Sequence, residues 1–425
     1  MLRCSTPSAP RAPIAVAGFL ALALGVGSFP RFAAAAPQDS ATVTLDDFTV
    51  TSRQGDVITI KHAVFEGANL NEQEIVKMLT PDTPPEDELA LVRKLKAASI
   101  SIPSIDIAKK KGGAIHIHDV SATDVDSGKI GKLGFSGIDG AGAGDDGPVS
   151  VKSGALRLEN ADLSEALGSA GDPAEVSSTA RLGFLSWEGV DIVAPDKENG
   201  AQGGAIHLGL ASIESRNNYD GETFRDSATT LKGLIIEPSK GSEFANSLGA
   251  LGYTSVELNA SAVVRYDAGG KKLAVEDITI DYAKAGSIGV KANFGGIDPA
   301  LFGKDRGAQM AAVTEGDISS LEIKFVNSGI FEKAVAYYAG QQKTTPEALR
   351  QQWAAVAGQM LPVLLGGDPA ALKVAAEAQK FIAAPTSLTI ALRPKADALK
   401  FADFLAVADP SALLAKIDIE ASANK

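Results

Sequence analysis

The sequence predicts an α+β protein with largely antiparallel, curved β-sheet, built from meanders, with amphipathic helices covering one face and a helix-rich carboxyl-terminal third. Most of the chain alternates apolar and polar residues with a period of two, which is typical of strands with one buried face. Polar turns and short amphipathic segments separate these strands. From Phe331 onward, apolar residues recur at intervals of three and four, which indicates helices that pack on a sheet.

The first 35 residues have the features of a cleavable secretory signal. Arg3 and Arg11 precede an apolar run at residues 14–29, and small alanines follow at 33–36, so cleavage after Ala35 fits best. The run is shorter than the roughly 20 residues that span a bilayer, which favours a cleaved signal over a retained anchor. The sequence therefore predicts a periplasmic protein that has no transmembrane helix after cleavage.

Residues 36–251 are predicted to be a β-rich repeat region with short helices. Its alternating segments are the predicted strands 42–45, 57–60, 99–102 and 114–118. The glycine-rich, acidic segment 133–148 is predicted to be a mobile loop between strands, because glycine clusters usually mark turns.

A strand that leads through a polar turn into a short amphipathic helix occurs at four places. Equivalent apolar positions in these places are spaced by roughly 80 to 95 residues, at Leu70, Leu163, Phe244 and Phe331. A second similarity is a repeated pentapeptide, since segments 112–116 and 203–207 both have the sequence Gly-Gly-Ala-Ile-His. An internal repeat and independently similar turns both account for these similarities.

Residues 252–425 are predicted to be a separate α+β domain with a β-meander, helices and two late strands. The predicted strands are 256–266, 273–282, 288–292, 388–392 and 417–421, and the predicted helices are 331–340, a helix capped by Thr344 or Thr345, one that starts at 368, and two short ones at 398–407 and 409–415. The helix after Thr345 carries an apolar stripe of Trp353, Met360 and Leu364. The stripe is expected to pack against the sheet rather than line a ligand cavity.

Composition excludes several classes of chemistry. Cys4 is the single cysteine and lies in the predicted signal, so the exported chain would have no thiol nucleophile, disulfide or cysteine-bound metal. The formal charge is −12 and basic clusters are lacking, which argues against nucleic acid and anionic lipid headgroups as partners.

The candidate metal ligands are His116 and His118, two of four histidines. They lie two residues apart on a predicted strand, so both rings project from one face, as a zinc or copper site would require. The opposite face carries Ile115 and Ile117, which indicates that the histidine face is the solvent face. No cluster of carboxylates with ligand spacing lies beside them in the sequence. The sequence therefore predicts neither a metal site nor a cofactor.

Short catalytic motifs are also missing from the sequence. It contains no nucleophile elbow, Walker loop or His-Glu-x-x-His motif, and no dinucleotide fingerprint that opens a predicted helix. The acidic segments 124–128 and 144–147 do not have the ligand order of an EF-hand loop, and acidic turns explain them better. The sequence therefore predicts a protein without enzymatic activity.

The pattern from Gly252 through the helices to residues 417–419 resembles uncharacterised exported proteins of Gram-negative bacteria with repeated β-meander and helix units. It is also similar in outline to the AsmA-like and tubular lipid-binding proteins of the periplasm. The resemblance implies a lipid or other apolar ligand held against a curved sheet, and the amphipathic strands and helices suit such a binding or scaffold protein. The alternative is an envelope structural or adaptor protein that binds a protein partner through its sheet edges.

Overall fold

A computed structural model describes residues 41–81, 83–144, 147–164, 167, 180–196, 204–221, 223–303, 305–365, 367, 369–395, 399–406 and 415–425. The predicted export signal therefore lies outside the described residues. The fold is α+β with extensive antiparallel sheet, as the sequence predicts. The chain divides into two compact units, of which the first ends at Trp187 and the second begins at Glu188.

The first unit is a sheet with two helices after its second strand. Its elements in chain order are β1 (Ala41–Thr51), β2 (Val57–Ala68), α1 (Glu72–Leu79), α2 (Pro85–Lys94), β3 (Lys96–Ala108), β4 (Gly113–Asp126), β5 (Lys129–Phe135), β6 (Gly137–Gly144), β7 (Gly147–Ser153), β8 (Leu156–Asp162) and the first half of β9 (Arg181–Pro195). Strands β1 to β4 pair in sequence order. The long strand β4 then pairs with β6 along its first half and with β5 along its second half.

The core of the first unit follows from strand alternation and one capped helix. Ile58, Ile60 and Phe65 of β2 are each 2% exposed, and each such side chain stabilises the fold by about 1.5–3 kcal/mol through burial. Asn71 and Glu74 form a capping box that starts α1, with Asn71 Oδ1 accepting from Glu74 N at 3.0 Å. The buried face of α1 therefore covers this side of the sheet.

The prediction of a loop at 133–148 is wrong for the described residues of that segment, which form strands. Strand β6 pairs with β4 on one side and with β7 on the other. A Cβ atom at Gly140 would lie 2.7 Å from Ala114 O, so glycine is required here for two backbones to approach closely. The glycines therefore serve close strand packing, which sequence reasoning mistook for turn formation.

The second unit contains a longer meander and most of the helices that the structure describes. Its elements are the second half of β9, β10 (Ala205–Asp220), β11 (Thr223–Glu237), α3 (Glu243–Ala250), β12 (Val256–Asp267), β13 (Lys272–Tyr282), β14 (Gly286–Gly295), a 3-10 turn (Pro299–Phe302), α4 (Arg306–Glu315), β15 (Asp317–Asn327), α5 (Ile330–Gln341), α6 (Pro346–Leu364), α7 (Pro369–Ala383), β16 (Ser387–Pro394), β17 (Leu399–Lys400), α8 (Phe401–Ala406) and β18 (Ile417–Ala423).

Strands β10 to β16 pair in sequence order and β18 pairs with β16, which confirms the predicted meander and late strands. Each pairing from β10 to β15 contains a shift in register. Such bulges bend a strand and increase its twist, which produces the curved sheet that the sequence predicts.

The helices predicted at 331–340, after Thr345 and near residue 369 are confirmed as α5, α6 and α7. Thr345 caps α6, since its hydroxyl oxygen accepts from Ala348 N at 3.2 Å. A strand leads into a helix at three of the four predicted places, at β2 and α1, β11 and α3, and β15 and α5. The helix of the second place and the predicted helix 409–415 fall largely outside the described residues.

Candidate ligand-binding groove

One face of the sheet in the second unit carries apolar side chains in two rows that cross the strands. In an antiparallel pair, directly opposed residues project to the same face. The first row, from β11 to β16, consists of Leu231, Ala260, Ile280, Ile288, Phe325 and Leu388. The second row, from β12 to β16, consists of Ala262, Ile278, Val290, Ile323 and Ile390. We refer to these two rows as the apolar face.

The apolar face is only partly covered by the rest of its unit. Ile288 and Ile323 are each 40% exposed, and the other members are half-buried. The opposite face is polar along its matching row, which consists of Ser261, Thr279, Gly289, Lys324 and Thr389. The sheet of the second unit therefore has one polar face and one apolar face, and the apolar face remains partly accessible to solvent.

Helix α3 approaches the apolar face from the β11–β12 connection. The hydroxyl oxygen of Ser242 accepts a hydrogen bond from the first turn of the helix at 3.0 Å. Gly252 follows the helix with φ of +72°, and Tyr253 N donates to Leu248 O at 2.9 Å, which fixes the chain direction at the helix end. This ending places Leu248, Leu251 and Tyr253 beside the same cavity.

Helix α5 begins at the end of β15. Asn327 Oδ1 accepts hydrogen bonds from Gly329 N at 3.2 Å and Phe331 N at 3.0 Å, which satisfies the amide of the N-cap residue and one donor of the first turn. Ile330 N donates to Ala285 O at 3.1 Å in the β13–β14 turn. These bonds hold the start of α5 against that turn and bring Ile330 to the cavity.

The cavity between α3, α5 and strands β12–β15 has a volume of about 300 Å³. We call it the apolar groove. Its apolar lining includes Leu248, Leu251, Val256, Tyr282, Ile288, Phe325 and Ile330. The volume lies at the lower end of the range for ligand pockets, so the groove suits one apolar chain or a small apolar ring.

A second cavity of about 130 Å³ adjoins the apolar groove, and we call it the polar mouth. Its lining residues are Gly252, Tyr253, Thr254, Ser255, Glu257, Ala283, Lys284 and Lys333. Four residues line both cavities: Tyr253, Ser255, Glu257 and Ala283. The apolar groove and the polar mouth are therefore contiguous.

Tyr253 organises the polar mouth. Its hydroxyl donates to Lys284 O at 3.1 Å, and the Lys333 ammonium lies 3.4 Å from the centroid of its ring. Lys333 Nζ also donates to Gly252 O at 3.1 Å. Burial, and secondarily the negative charge of Glu332, raises the pKa of the Tyr253 hydroxyl, so it stays a protonated donor at neutral pH.

Aromatic packing covers the apolar face around Phe325. The Phe381 ring of α7 contacts Phe325 and Phe331, with centroid distances of 5.8 and 5.3 Å. Trp353 of α6 contacts Phe331 with a centroid distance of 6.1 Å. Edge-to-face pairs of this kind stabilise packing by about 0.5–1.5 kcal/mol beyond burial. Helices α5, α6 and α7 are therefore packed closely over the apolar face near Phe325.

The predicted metal candidates His116 and His118 lie on β4 in the first unit, with their side chains part-exposed. Each ring contacts a carboxylate from a neighbouring strand, at 2.6 Å between His116 Nδ1 and Asp106 Oδ1 and at 2.6 Å between His118 Nε2 and Asp139 Oδ1. The hydrogen bond from His118 holds the pKa of Asp139 below its ordinary value. Sequence reasoning missed both carboxylates because strand pairing, and not local spacing, brings them to the histidines.

The other two histidines are paired in the same way. His62 Nδ1 lies 2.7 Å from Asp46 Oδ1, across β1 and β2. His207 contacts Asp191 at 3.0 Å and Glu237 at 3.1 Å, and these hydrogen bonds raise its pKa. Carboxylate pairing across the sheet is thus common to all four histidines, and it is not particular to the two metal candidates.

The prediction that Trp353, Met360 and Leu364 pack into the core is wrong for the last two. Trp353 packs against a small buried cluster, whereas Met360 is 54% exposed and Leu364 is 62% exposed. The neighbouring Val363 is 78% exposed. Helical spacing shows which residues share a face, but tertiary packing decides whether that face is covered.

The first unit has its own apolar cavity, of about 70 Å³, between its sheet and helices α1 and α2. Phe65, Met78, Val92 and Ile117 are among its lining residues. Glu88 lies one helical turn before Val92 and is 3% exposed. Burial raises the pKa of Glu88 to about 7. The small volume makes this cavity a weaker ligand site than the apolar groove.

Within the parts of the chain that the structure describes, no group of three or more His, Cys, Asp or Glu side chains is arranged to hold a metal ion. None of the described helices combines the length and the apolar character that a membrane crossing requires. The model of a family described as an uncharacterised protein matches residues 279–424, which include much of the apolar face. No curated protein matches the sequence.

Proposed function

We propose that this chain is an exported, non-enzymatic binding protein that holds a lipid or other apolar ligand on the apolar face of its second unit. The observation that carries the proposal is the apolar groove, which is bounded by α3 and α5 and includes the 40% exposed Ile288. Contiguous apolar surface in contact with water is unfavourable, and such patches usually mark interaction sites. The export signal predicted at residues 1–35 would place this binding in the periplasm.

Binding of N-phenyl-1-naphthylamine, an uncharged probe whose fluorescence rises in apolar surroundings, tests the proposal. Ile288→Glu places a charge in the apolar groove, where burying it against a ligand is costly, and we expect it to weaken probe binding at least tenfold. Lys324→Glu is the matched control, because this exposed residue on the neighbouring strand β15 projects from the opposite face. Wild-type protein that does not bind the probe would contradict the proposal, and so would equal binding by the two folded variants.

A second candidate function is that of an envelope adaptor, and the exposed apolar residues of α6 favour it. Met360, Val363 and Leu364 are each more than half exposed, which is unusual for large apolar side chains on one helix. A photo-crosslinking residue at Val363, with one at the exposed polar Gln352 as control, tests this function in cells. A discrete protein adduct found only with the Val363 probe supports an adaptor, and the same products at both positions would argue against it.

A further inference from the structure

We propose that the polar mouth binds the anionic head group of a single-chain amphiphile, a carboxylate or phosphate whose acyl chain lies in the apolar groove. This inference rests on the proposed function and names the class of its ligand. The acyl chain of the ligand would contact Leu248, Leu251, Ile288, Phe325 and Ile330. Its head group would contact Lys333 and Lys284.

Lys333 carries a charge that is not paired with any carboxylate of the described residues. Its ammonium is held by two neutral groups, the carbonyl of Gly252 and the ring of Tyr253. Among the residues that the structure describes, no carboxylate forms an ion pair with it, although the residue is half-buried. A partly desolvated charge without a counter-ion is unfavourable, so an anion bound beside it gains a charge-assisted hydrogen bond.

The carboxylates near the polar mouth accept hydrogen bonds from groups other than the two lysines. Glu257 Oε1 accepts from Ser255 Oγ at 3.1 Å, and Glu332 Oε2 accepts from Asn327 Nδ2 at 2.9 Å. Lys284 lies exposed at the rim of the polar mouth, where Tyr253 fixes its carbonyl. Two ammonium groups therefore remain available at this end of the apolar groove.

The size of the apolar groove and the net charge of the protein limit which amphiphiles can bind. A groove of about 300 Å³ is small for a ligand site, which favours one acyl chain over two. The formal charge of −12 disfavours approach to an anionic membrane surface. The polar mouth offers two ammonium groups beside the carboxylate of Glu257, which is too small a positive patch for an anionic membrane surface and suits one monomeric anionic amphiphile better.

Isothermal titration with twelve-carbon probes at monomeric concentrations tests the inference. We compare laurate and dodecyl phosphate with 1-dodecanol, which has the same chain without charge, and with dodecyltrimethylammonium, which has the opposite charge. Both anions are expected to bind about tenfold more tightly than 1-dodecanol, and the cation more weakly than 1-dodecanol. The tighter of the two anions distinguishes a carboxylate from a phosphate head group.

Variants locate the head group. Lys333→Gln keeps a donor for Gly252 but removes the charge, so laurate affinity should fall about tenfold while 1-dodecanol affinity is unchanged. Lys333→Arg should retain laurate binding, and Lys284→Gln should weaken it by a smaller factor. Lys324→Gln on the opposite face is the control and should have no effect.

The outcomes separate this inference from the proposed function. If laurate and 1-dodecanol bind equally to the wild type, the inference is overturned and the proposed function stands. If inorganic phosphate alone binds as tightly as dodecyl phosphate, the protein does not recognise the alkyl chain of the ligand, and the inference is again overturned. If no twelve-carbon probe and no N-phenyl-1-naphthylamine binds, the proposed function itself fails.

Discussion

At the scale of single residues, Lys333 and Glu88 stand out because no ion pair joins either of them to another residue that the structure describes, whereas ion pairs link neighbouring strands at several places. The four histidines and Lys96 contact carboxylates on neighbouring strands, in positions that are at least partly exposed to water. Exposed pairs of this kind contribute only about 0–1 kcal/mol to stability each. Lys333 carries its charge in a half-buried position, and Glu88 gains a charge in a buried position when it ionises. The energetic effect of a charge is larger in such surroundings than in water.

Glu88 makes the stability of the first unit depend on pH. Its Oε1 is buried and has no hydrogen-bond partner in the described part of the chain. Burial raises its pKa from 4.5 to about 7, so the folded state binds the proton more tightly than the unfolded state. Stability from this group is therefore fully present below pH 4.5, falls as the pH rises to about 7, and stays low above that.

Replacement Glu88→Gln should remove this loss. At pH 8 the variant should be more stable than the wild type by up to about 3 kcal/mol, and at pH 4 the two should be nearly equal. Urea unfolding at several pH values measures the difference. Glu86→Gln, at an exposed position of the same helix, is the control. Parallel stability curves for wild type and Glu88→Gln would contradict the assignment.

At the scale of elements, glycine has different consequences in a strand and in a helix of this protein. In β6 it allows the backbone of β4 to approach, since a Cβ at Gly140 would lie 2.9 Å from Ile115 Cα. In α3 it only weakens the helix, since a Cβ at Gly249 would have no atom within 4 Å. Glycine therefore stabilises the fold at position 140 and destabilises it at position 249.

The two glycines provide a matched pair of variants. We expect Gly140→Ala to destabilise the protein by about 1–3 kcal/mol, because the strands must separate to admit the methyl group. We expect Gly249→Ala to stabilise it by about 0.5–1 kcal/mol through helix propensity. Chemical denaturation compares both with the wild type. A neutral Gly140→Ala would show that β4 and β6 do not pack as closely as described.

At the scale of the whole molecule, the two units differ in how completely each covers its apolar residues. In the first unit a single buried cluster extends in sequence from Val43 to Leu185. In the second unit the buried cluster under α5 and α6 consists of Val335, Ala339 and Leu349, and the apolar face is half-buried or exposed. The first unit is therefore organised as a closed core, and the second leaves apolar surface that a ligand can bury.

Hydrogen exchange should reveal this difference. Amides of β2 in the first unit are expected to exchange more slowly than those of β14 in the second, because fewer buried contacts oppose local opening there. Addition of laurate should slow exchange in β14 and β15 and leave β2 unchanged, since ligands stabilise the part of the structure they bind. Slower exchange in both units alike would contradict a site confined to the apolar groove.

The sequence by itself determined the fold class, the meander at residues 256–292, the carboxyl-terminal helices and the polar character of the histidine face. Apolar residues spaced by two indicate strands, and apolar residues spaced by three and four indicate helices. Both patterns can be read without knowing which segments pack together. Only the tertiary structure decided that glycines of β6 pack between strands, that Asp106 and Asp139 reach the histidines, and that Leu364 is exposed. Only the tertiary structure revealed the apolar groove and the polar mouth, because α3, α5 and four strands must meet to form them. Strand register brings together residues that are distant in sequence.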